Sequence, residues 1–210
     1  MREADLYQHC DKALGELLAS RGFSRAQPGE FLRKTDNGQD RVIVSRGRGI
    51  RSKTHFAVGM CYYPNYLRLI EDMFRHLGED QGFPCGPYLS PAGVLRREKY
   101  WSCKNVSALE KSLSHVKKCL IDIGLPWLES LRDPVIFANN VDPAAVLIAG
   151  LANEVAGNED IAADYYREMY SRLTRIMASS SERQFLNEFA RPFVFVTTKL
   201  GLDQEKREEL

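Results

Sequence analysis

The sequence has no uninterrupted apolar run of the roughly 20 residues that a membrane-spanning helix needs. Its first 20 residues include acidic side chains and lack an apolar core segment, so we expect a helix there and not a secretory signal. Its five cysteines are scattered without a Cys-x-x-Cys pair, which favours reduced, mostly buried thiols over a disulfide framework or a zinc ribbon. We therefore expect a cytoplasmic protein with no membrane segment.

Signatures of metal and cofactor chemistry are also scarce. No histidine stands four residues from another, and no His-Glu-x-x-His pattern occurs, so the sequence predicts no metal site. The Gly47-Arg48-Gly49 turn lacks the third glycine and the following helix of a dinucleotide-binding fingerprint. We expect neither a metal nor a cofactor.

The formal charges of the chain nearly cancel. Its 29 basic and 28 acidic residues leave a net charge of +1, which argues against the overall positive field of a dedicated nucleic-acid binder. The charges are nevertheless uneven, because residues 1–60 carry 11 Lys and Arg against 7 Asp and Glu, and residues 120–210 carry 9 against 15. One end of the chain is therefore mildly basic and the other acidic.

The N-terminal half begins with an amphipathic helix and continues with strands. Apolar residues recur at helical spacing over 6–18, and Gly22-Phe23 supplies a left-handed stop followed by an apolar contact. From residue 30 the apolar period is two, which predicts three antiparallel strands over 31–35, 41–46 and 54–63. Asn37-Gly38, between the first two strands, is typical of a type I′ turn with positive φ at both positions.

The most regular helical pattern lies near the middle of the chain. It alternates three and four residues and predicts a helix with one buried seam, whose members are Val106, Leu109, Leu113, Val116, Leu120 and Ile123. Ser107 and Glu110 have the spacing of a capping box at the start of this helix. A partner helix from another subunit could also use such a seam, but the seam of an intramolecular core is the simpler interpretation.

Further helices are predicted over 143–156, 159–178 and 182–200, the last starting with a Ser179 cap and kinked at Pro192. The predicted fold class is α+β: a small antiparallel sheet with packed helices, followed by a helical C-terminal half. We expect a single domain over 1–210. Within it we expect an α+β part over 1–104, a helical part over 105–200 and a charged tail over 201–210.

The densest polar cluster straddles the turn between the second and third predicted strands. Five cations occur within thirteen residues and a histidine follows them, and the cluster comprises Arg41, Arg46, Arg48, Arg51, Lys53 and His55. It could bind a phosphate backbone or an acidic protein surface. A solvated hairpin tip, with glycine for the turn and arginine for solubility, explains the same composition. We take the cluster as the candidate binding site.

A long loop over 79–95, rich in glycine and proline, is the second candidate region. Cys85 lies between Pro84 and Gly86 in this loop, and a Cys/His nucleophilic pair with His76 or His115 is conceivable. A plain loop thiol is the simpler explanation.

A segment of the C-terminal half resembles one tetratricopeptide-type helical hairpin. Within 144–173, Gly150, Ala162 and Tyr166 stand at the spacing of that repeat's close-packing positions. Asn153 replaces its usual tyrosine, and no second copy follows at a period of about 34 residues. The resemblance implies two helices in close contact.

The order of motifs over 6–75 carries a second resemblance. Gly22-Phe23 is followed by Phe31-Leu32-Arg33-Lys34 and then by His55-Phe56-Ala57-Val58-Gly59-Met60. This order resembles a family of small bacterial domains of unknown function. Its members belong to no enzyme class, and some look like immunity proteins, which bind and neutralise a partner toxin. The resemblance implies a binding role and names no binding residue.

The leading interpretation is a non-enzymatic protein-binding module of immunity-like type with an unidentified protein partner. The alternative is a nucleic-acid-associated protein that uses the basic hairpin around Arg46–Lys53, and the third is an enzyme with a site near the Cys85 loop. A broad acidic or apolar patch favours the first, a contiguous basic strip the second, and a pocket with converging titratable groups the third.

Overall fold

The chain folds as an α+β protein with an N-terminal sheet and a helical C-terminal half, as the sequence predicts. A computed structural model describes residues 2–47, 53–74, 88–89 and 100–202. The chain divides into two compact units, of which unit 1 is Met1–Asn65 with Cys85–Arg132 and unit 2 is Tyr66–Pro84 with Asp133–Leu210. Unit 1 therefore also contains helices over 106–130, which the predicted boundary after residue 104 assigns to the helical part.

The described residues of unit 1 form a six-stranded antiparallel sheet. Its strands are β1 (Ser24–Gln27), β2 (Glu30–Thr35), β3 (Gly38–Arg46), β4 (His55–Pro64), β5 (Tyr88–Leu89) and β6 (Trp101–Ser102). The order is β1-β2-β3-β4, and both β5 and β6 pair with β4. The predicted meander over 31–63 is confirmed. The edge strand β1 was not predicted, because all four of its residues are exposed and show no apolar alternation.

The helices belong to both units. In chain order they are α1 (Glu3–Ala19), α2 (Arg68–Phe74), α3 (Val106–Cys119), α4 (Leu125–Ser130), α5 (Pro134–Asn140), α6 (Val146–Val155), α7 (Glu159–Ser179), α8 (Glu182–Glu188) and α9 (Ala190–Lys199). Helices α1, α3 and α4 belong to unit 1 and the others to unit 2. Among the described residues, no helix combines the length and the apolar character that crossing a bilayer requires.

The turn between β2 and β3 differs from the prediction. Thr35 pairs with Gly38, so the two loop residues are Asp36 and Asn37. In the described part of the chain no non-glycine residue has a positive φ, and Gly38 is not among the glycines that do. The prediction of a type I′ turn at Asn37-Gly38 is therefore wrong. The glycine is needed for space, because a Cβ on Gly38 would lie 2.3 Å from the Tyr63 carbonyl oxygen.

One face of the sheet and helix α1 share the core of unit 1. Alternate residues of β3 are buried, and α1 contacts both β1 and β3. The buried face of α1 consists of Leu6, Cys10, Leu14 and Leu18, all fully buried. The helix ends as predicted, since Gly22 has φ 81° and the Phe23 N–H donates to the Leu18 carbonyl over 3.0 Å.

Helix α3 buries most of the predicted seam but not its first residue. Leu109, Leu113, Val116 and Leu120 are buried, whereas Val106 is 50% exposed. Val106 is the first residue of the helix, so the turn that would cover it on the N-terminal side is missing.

The two ends of α3 also differ from the prediction. The capping residue is Asn105, whose side chain accepts a hydrogen bond from the Ala108 N–H over 2.8 Å, so a cap at Ser107 is wrong. Beyond Cys119 the chain continues through a π turn, Leu120–Gly124, into α4. A π turn contains one residue more than an α turn and shifts the phase of the pattern. Ile123 is accordingly only half-buried.

Unit 2 contains a close-packed hairpin of α6 and α7. A Cβ on Gly150 would lie 2.9 Å from the Tyr166 ring, and both Ala162 and Tyr166 are buried. The predicted close contact between these helices is confirmed. Helix α7 has nearly the predicted bounds, while α6 begins at Val146, three residues later than predicted.

Two features of unit 2 were predicted incorrectly or missed. The last predicted helix is two helices, α8 and α9, which meet at Phe189 and not at Pro192. Pro192 has no N–H to donate to the carbonyl of Glu188. Helix α8 therefore ends at Glu188, and α9 begins at Ala190. The cap of α8 is Ser181 instead of Ser179. Helix α5 was not predicted, although Asp133 caps it immediately before a proline.

Candidate functional site: a groove between α1 and α3

The structure brings only part of the predicted basic cluster together. Arg41 and Arg46 stand five residues apart on β3 and therefore project from opposite faces of the sheet. Arg41 lies 3.5 Å from Glu30, and Arg46 donates a hydrogen bond to the Lys53 carbonyl over 3.2 Å. Arg48 and Arg51 lie outside the described residues.

His55 belongs to the opposite face from Arg46. Arg46 pairs with Phe56 across β3 and β4, so these two side chains share a face and the preceding residue, His55, points the other way. The His55 ring nitrogen Nδ1 lies 2.8 Å from the Thr54 hydroxyl. The described members of the cluster thus occupy two faces of the sheet and do not form one strip.

A buried ionic cluster lies on the core face of the same sheet. Asp40 is fully buried on β3, and its Oδ2 accepts hydrogen bonds from Arg33 over 2.7 Å and from Arg132 over 3.1 Å. Glu129 on α4 contacts both arginines. Arg33 and Asp40 are also direct cross-strand neighbours. The cluster pairs two cations with two anions and ties α4 to the sheet.

The environment of Asp40 shifts its ionisation. Burial raises the pKa of Asp40, and the adjacent guanidinium groups of Arg33 and Arg132 act in the opposite direction. Burial, helped by the nearby Asp40 carboxylate, also raises the pKa of Tyr62. Charged groups are expensive to bury unless they are paired, and the two guanidinium groups supply that pairing for Asp40.

A groove of about 560 Å³ lies between α1 and α3. Helix α1 contributes Gln8, His9, Lys12 and Ala13, which occupy two successive turns. Helix α3 contributes Glu110, Leu113, Ser114 and Lys117 on the facing side. Both walls therefore come from regular helices of unit 1.

The groove has an apolar floor and charged walls. Leu113 is buried and Ala13 half-buried, whereas Lys12, Glu110 and Ser114 are exposed. One lysine stands on each wall, Lys12 on α1 and Lys117 on α3. The His9 ring nitrogen Nδ1 lies 2.7 Å from the main-chain carbonyl of Asp5 on its own helix. An apolar centre with a polar rim is the composition of a protein-interaction surface.

The groove residues were absent from the predicted site. They lie on two helices about 100 residues apart in the chain, and no local motif joins them. One signal was present, namely the heptad spacing over 106–123, which suits a partner helix as well as a core.

The thiols follow the prediction where the structure describes them. Cys10, Cys103 and Cys119 are free and buried, and Cys61 is free and half-buried. The candidate nucleophile Cys85 lies outside the described residues. The described ranges contain no group of three or more His, Cys, Asp or Glu arranged to hold a metal ion.

Comparison with known proteins identifies no relative. No protein-family model matches the chain, and neither a curated protein nor a solved structure matches it. The resemblances of residues 6–75 and 144–173 therefore remain predictions, and the function has to be inferred from the sites themselves.

Proposed function

We propose that this protein is a non-enzymatic protein-binding module whose partner lies in the groove between α1 and α3. The observation that carries the proposal is the composition of the groove, in which Ala13 and Leu113 form the floor and Lys12 and Lys117 stand on opposite walls. A surface of this kind buries apolar area at its centre and fixes the orientation of a partner through charges at its rim.

His9 lies in the groove lining with its ring anchored to its own helix, because Nδ1 contacts the Asp5 carbonyl oxygen over 2.7 Å. The other ring nitrogen, Nε2, can then form a hydrogen bond with a bound partner. The resemblance of residues 6–75 to immunity-like bacterial domains agrees with a binding role, and neutralising a toxin is one form that such binding takes.

Affinity capture from the source cells with three baits tests the proposal. The baits are the wild type, Lys12→Glu/Lys117→Glu in the groove, and the matched control Lys111→Glu/Lys118→Glu on the exposed side of α3 outside the groove lining. We expect a protein that the wild type and the control retain and the groove variant loses, because a rim charge facing the partner changes sign. Circular dichroism and thermal unfolding show whether all three baits are folded.

Capture of the same proteins by all three baits would contradict the groove as the binding surface. Capture of nucleic acid alone would favour the nucleic-acid interpretation instead. That interpretation has less support, because Arg41 and Arg46 project from opposite faces and each already has a partner within the chain.

A further inference from the structure

The exposed side chain of Val106 lies on the same face of α3 as the groove lining. Val106 precedes Glu110, Leu113 and Lys117 by four, seven and eleven residues, so all four share one face of α3. Half of the Val106 surface is exposed, whereas Leu113 is only 4% exposed. The groove side of α3 therefore presents one exposed apolar residue, Val106, one turn before the exposed Glu110.

The face of α3 from Val106 to Lys117 is long enough for an α-helix to lie beside it. From Val106 to Lys117 the helix rises about 17 Å, which is three turns. A helix bound in a groove contacts it through apolar side chains at i, i+3 or i+4 and i+7. The half-exposed Val106 on α3 and the half-buried Ala13 on α1 offer apolar surface for such contacts.

The charges at the groove indicate what flanks the apolar side chains of this ligand. Lys12 and Lys117 stand on opposite walls, and Glu110 is the acid of the lining. Two other acids of α1 are already engaged, since Asp5 binds Arg2 at 3.0 Å and Asp11 binds Arg25 at 2.8 Å. The lining thus keeps a positive balance, which complements acidic side chains on both flanks of a ligand.

From these observations we infer that the groove receives an amphipathic α-helix of the partner protein, about three turns long, with an apolar stripe and acidic flanks. Its apolar side chains cover Val106 and Ala13, and its Asp and Glu residues face Lys12 and Lys117. This inference rests on the proposed function and adds the chemistry of the partner segment.

Photo-cross-linking in the source cells tests the inference directly. Ser114, on the groove lining, is replaced by p-benzoylphenylalanine, and Lys111, on the same helix outside the lining, is replaced likewise as the control. After irradiation, mass spectrometry identifies the attached peptide. We expect a protein segment with apolar residues at i, i+3 or i+4 and i+7 and an excess of Asp and Glu, attached at Ser114 and not at Lys111.

Two further variants connect the cross-link to the proposed contacts. Lys12→Glu/Lys117→Glu should reduce the yield at Ser114 by roughly tenfold or more, because both flanking contacts become repulsive. Val106→Ser should also reduce the yield while leaving thermal unfolding unchanged, because Val106 is half exposed in the chain by itself. A yield that neither variant alters would overturn the inference.

The outcomes separate this inference from the function on which it rests. A basic segment, a segment without helical periodicity or a segment of a second copy of this chain overturns the inference and leaves protein binding in place. A nucleic acid at Ser114, or no protein above the Lys111 control, overturns both.

Discussion

Asp40 on β3 and Arg132, just after α4, lie 3.1 Å apart although 92 residues separate them in the chain. The Asp40 side chain is fully buried, and the same carboxylate oxygen also binds Arg33. Arg132 is 30% exposed, so the pair connects the centre of the sheet to the surface at the end of a helix.

Removal of the buried carboxylate should destabilise the fold strongly. Asp40→Ala leaves Arg33 and Arg132 with only the half-exposed Glu129 as a shared anion, and we expect a loss of about 3–5 kcal/mol in the free energy of unfolding. Glu129→Ala removes a carboxylate that is 46% exposed and should cost less than about 1 kcal/mol. Urea denaturation measures both, and similar losses in the two variants would contradict the special role of Asp40.

Two positions of α3 should respond differently to truncation. Leu109 is fully buried, so Leu109→Ala should lower the free energy of unfolding by about 2–5 kcal/mol. Val106→Ala should change it by less than about 0.5 kcal/mol, because the side chain is half exposed. Thermal and urea denaturation test the pair, and a large effect at Val106 would show that it belongs to the core.

A side chain at position 38 should be excluded by the backbone of β4. The Cβ of Gly38→Ala would lie 2.3 Å from the Tyr63 carbonyl oxygen and 2.9 Å from the Pro64 Cα, so the strands must separate. We expect a loss of about 1–3 kcal/mol. Gly15→Ala, in an open position on α1, should instead stabilise by up to about 1 kcal/mol. If Gly38→Ala unfolded at the same denaturant concentration as the wild type, the close contact between Gly38 and β4 would be contradicted.

The fold was largely predictable because periodicity records burial. The period of two over 31–63 and the helical periods in the second half identified the sheet and most helices. The exact ends of the helices and strands depend on tertiary contacts, which the periodicity of a sequence does not reveal. Gly38 was correctly marked as special, but the reason is the close approach of Tyr63 and Pro64 on β4, about 25 residues further along the chain.

The candidate site was less predictable for the same physical reason. Basic residues close in sequence, such as Arg46 and His55, lie on opposite faces of the sheet because strand side chains alternate. Lys12 and Lys117, far apart in sequence, line one groove because their helices pack together. A single sequence shows the first kind of neighbour and not the second.

The ionisation of Cys10 should make stability fall in alkaline solution. Burial, with smaller effects of Asp11 and Cys103, raises the pKa of Cys10 from 9.0 to about 12. Above pH 9 the unfolded chain therefore loses a proton that the folded chain retains, and unfolding becomes easier until pH approaches 12. The slope is at most about 1.4 kcal/mol per pH unit.

Denaturation curves of the wild type and Cys10→Ala between pH 7 and 10.5 isolate this effect. Cys10→Ala should be less stable than the wild type at pH 7 because it leaves a cavity. The difference in the free energy of unfolding between the two proteins should shrink by about 2 kcal/mol by pH 10.5. Parallel pH profiles would contradict the raised pKa of the buried thiol.

The described strand residues of the basic cluster, Arg41, Arg46 and His55, lie on two faces of the sheet, which argues against a nucleic-acid surface. Because Arg41 and Arg46 do not point the same way, we expect no binding of labelled duplex or single-stranded oligonucleotides even at low salt. Binding at low salt that Arg46→Glu/Arg48→Glu abolishes would restore the nucleic-acid interpretation.

The division of the chain into two units also sets the order in which its parts can fold during synthesis on the ribosome. Unit 1 has all of its segments once Arg132 has emerged, and it can then begin to fold. Helix α2 belongs to unit 2 and contacts α9, the last described helix to be synthesised. Leu67 and Ile70 are buried in the folded protein. More than 100 further residues must be synthesised after them before their own unit is complete.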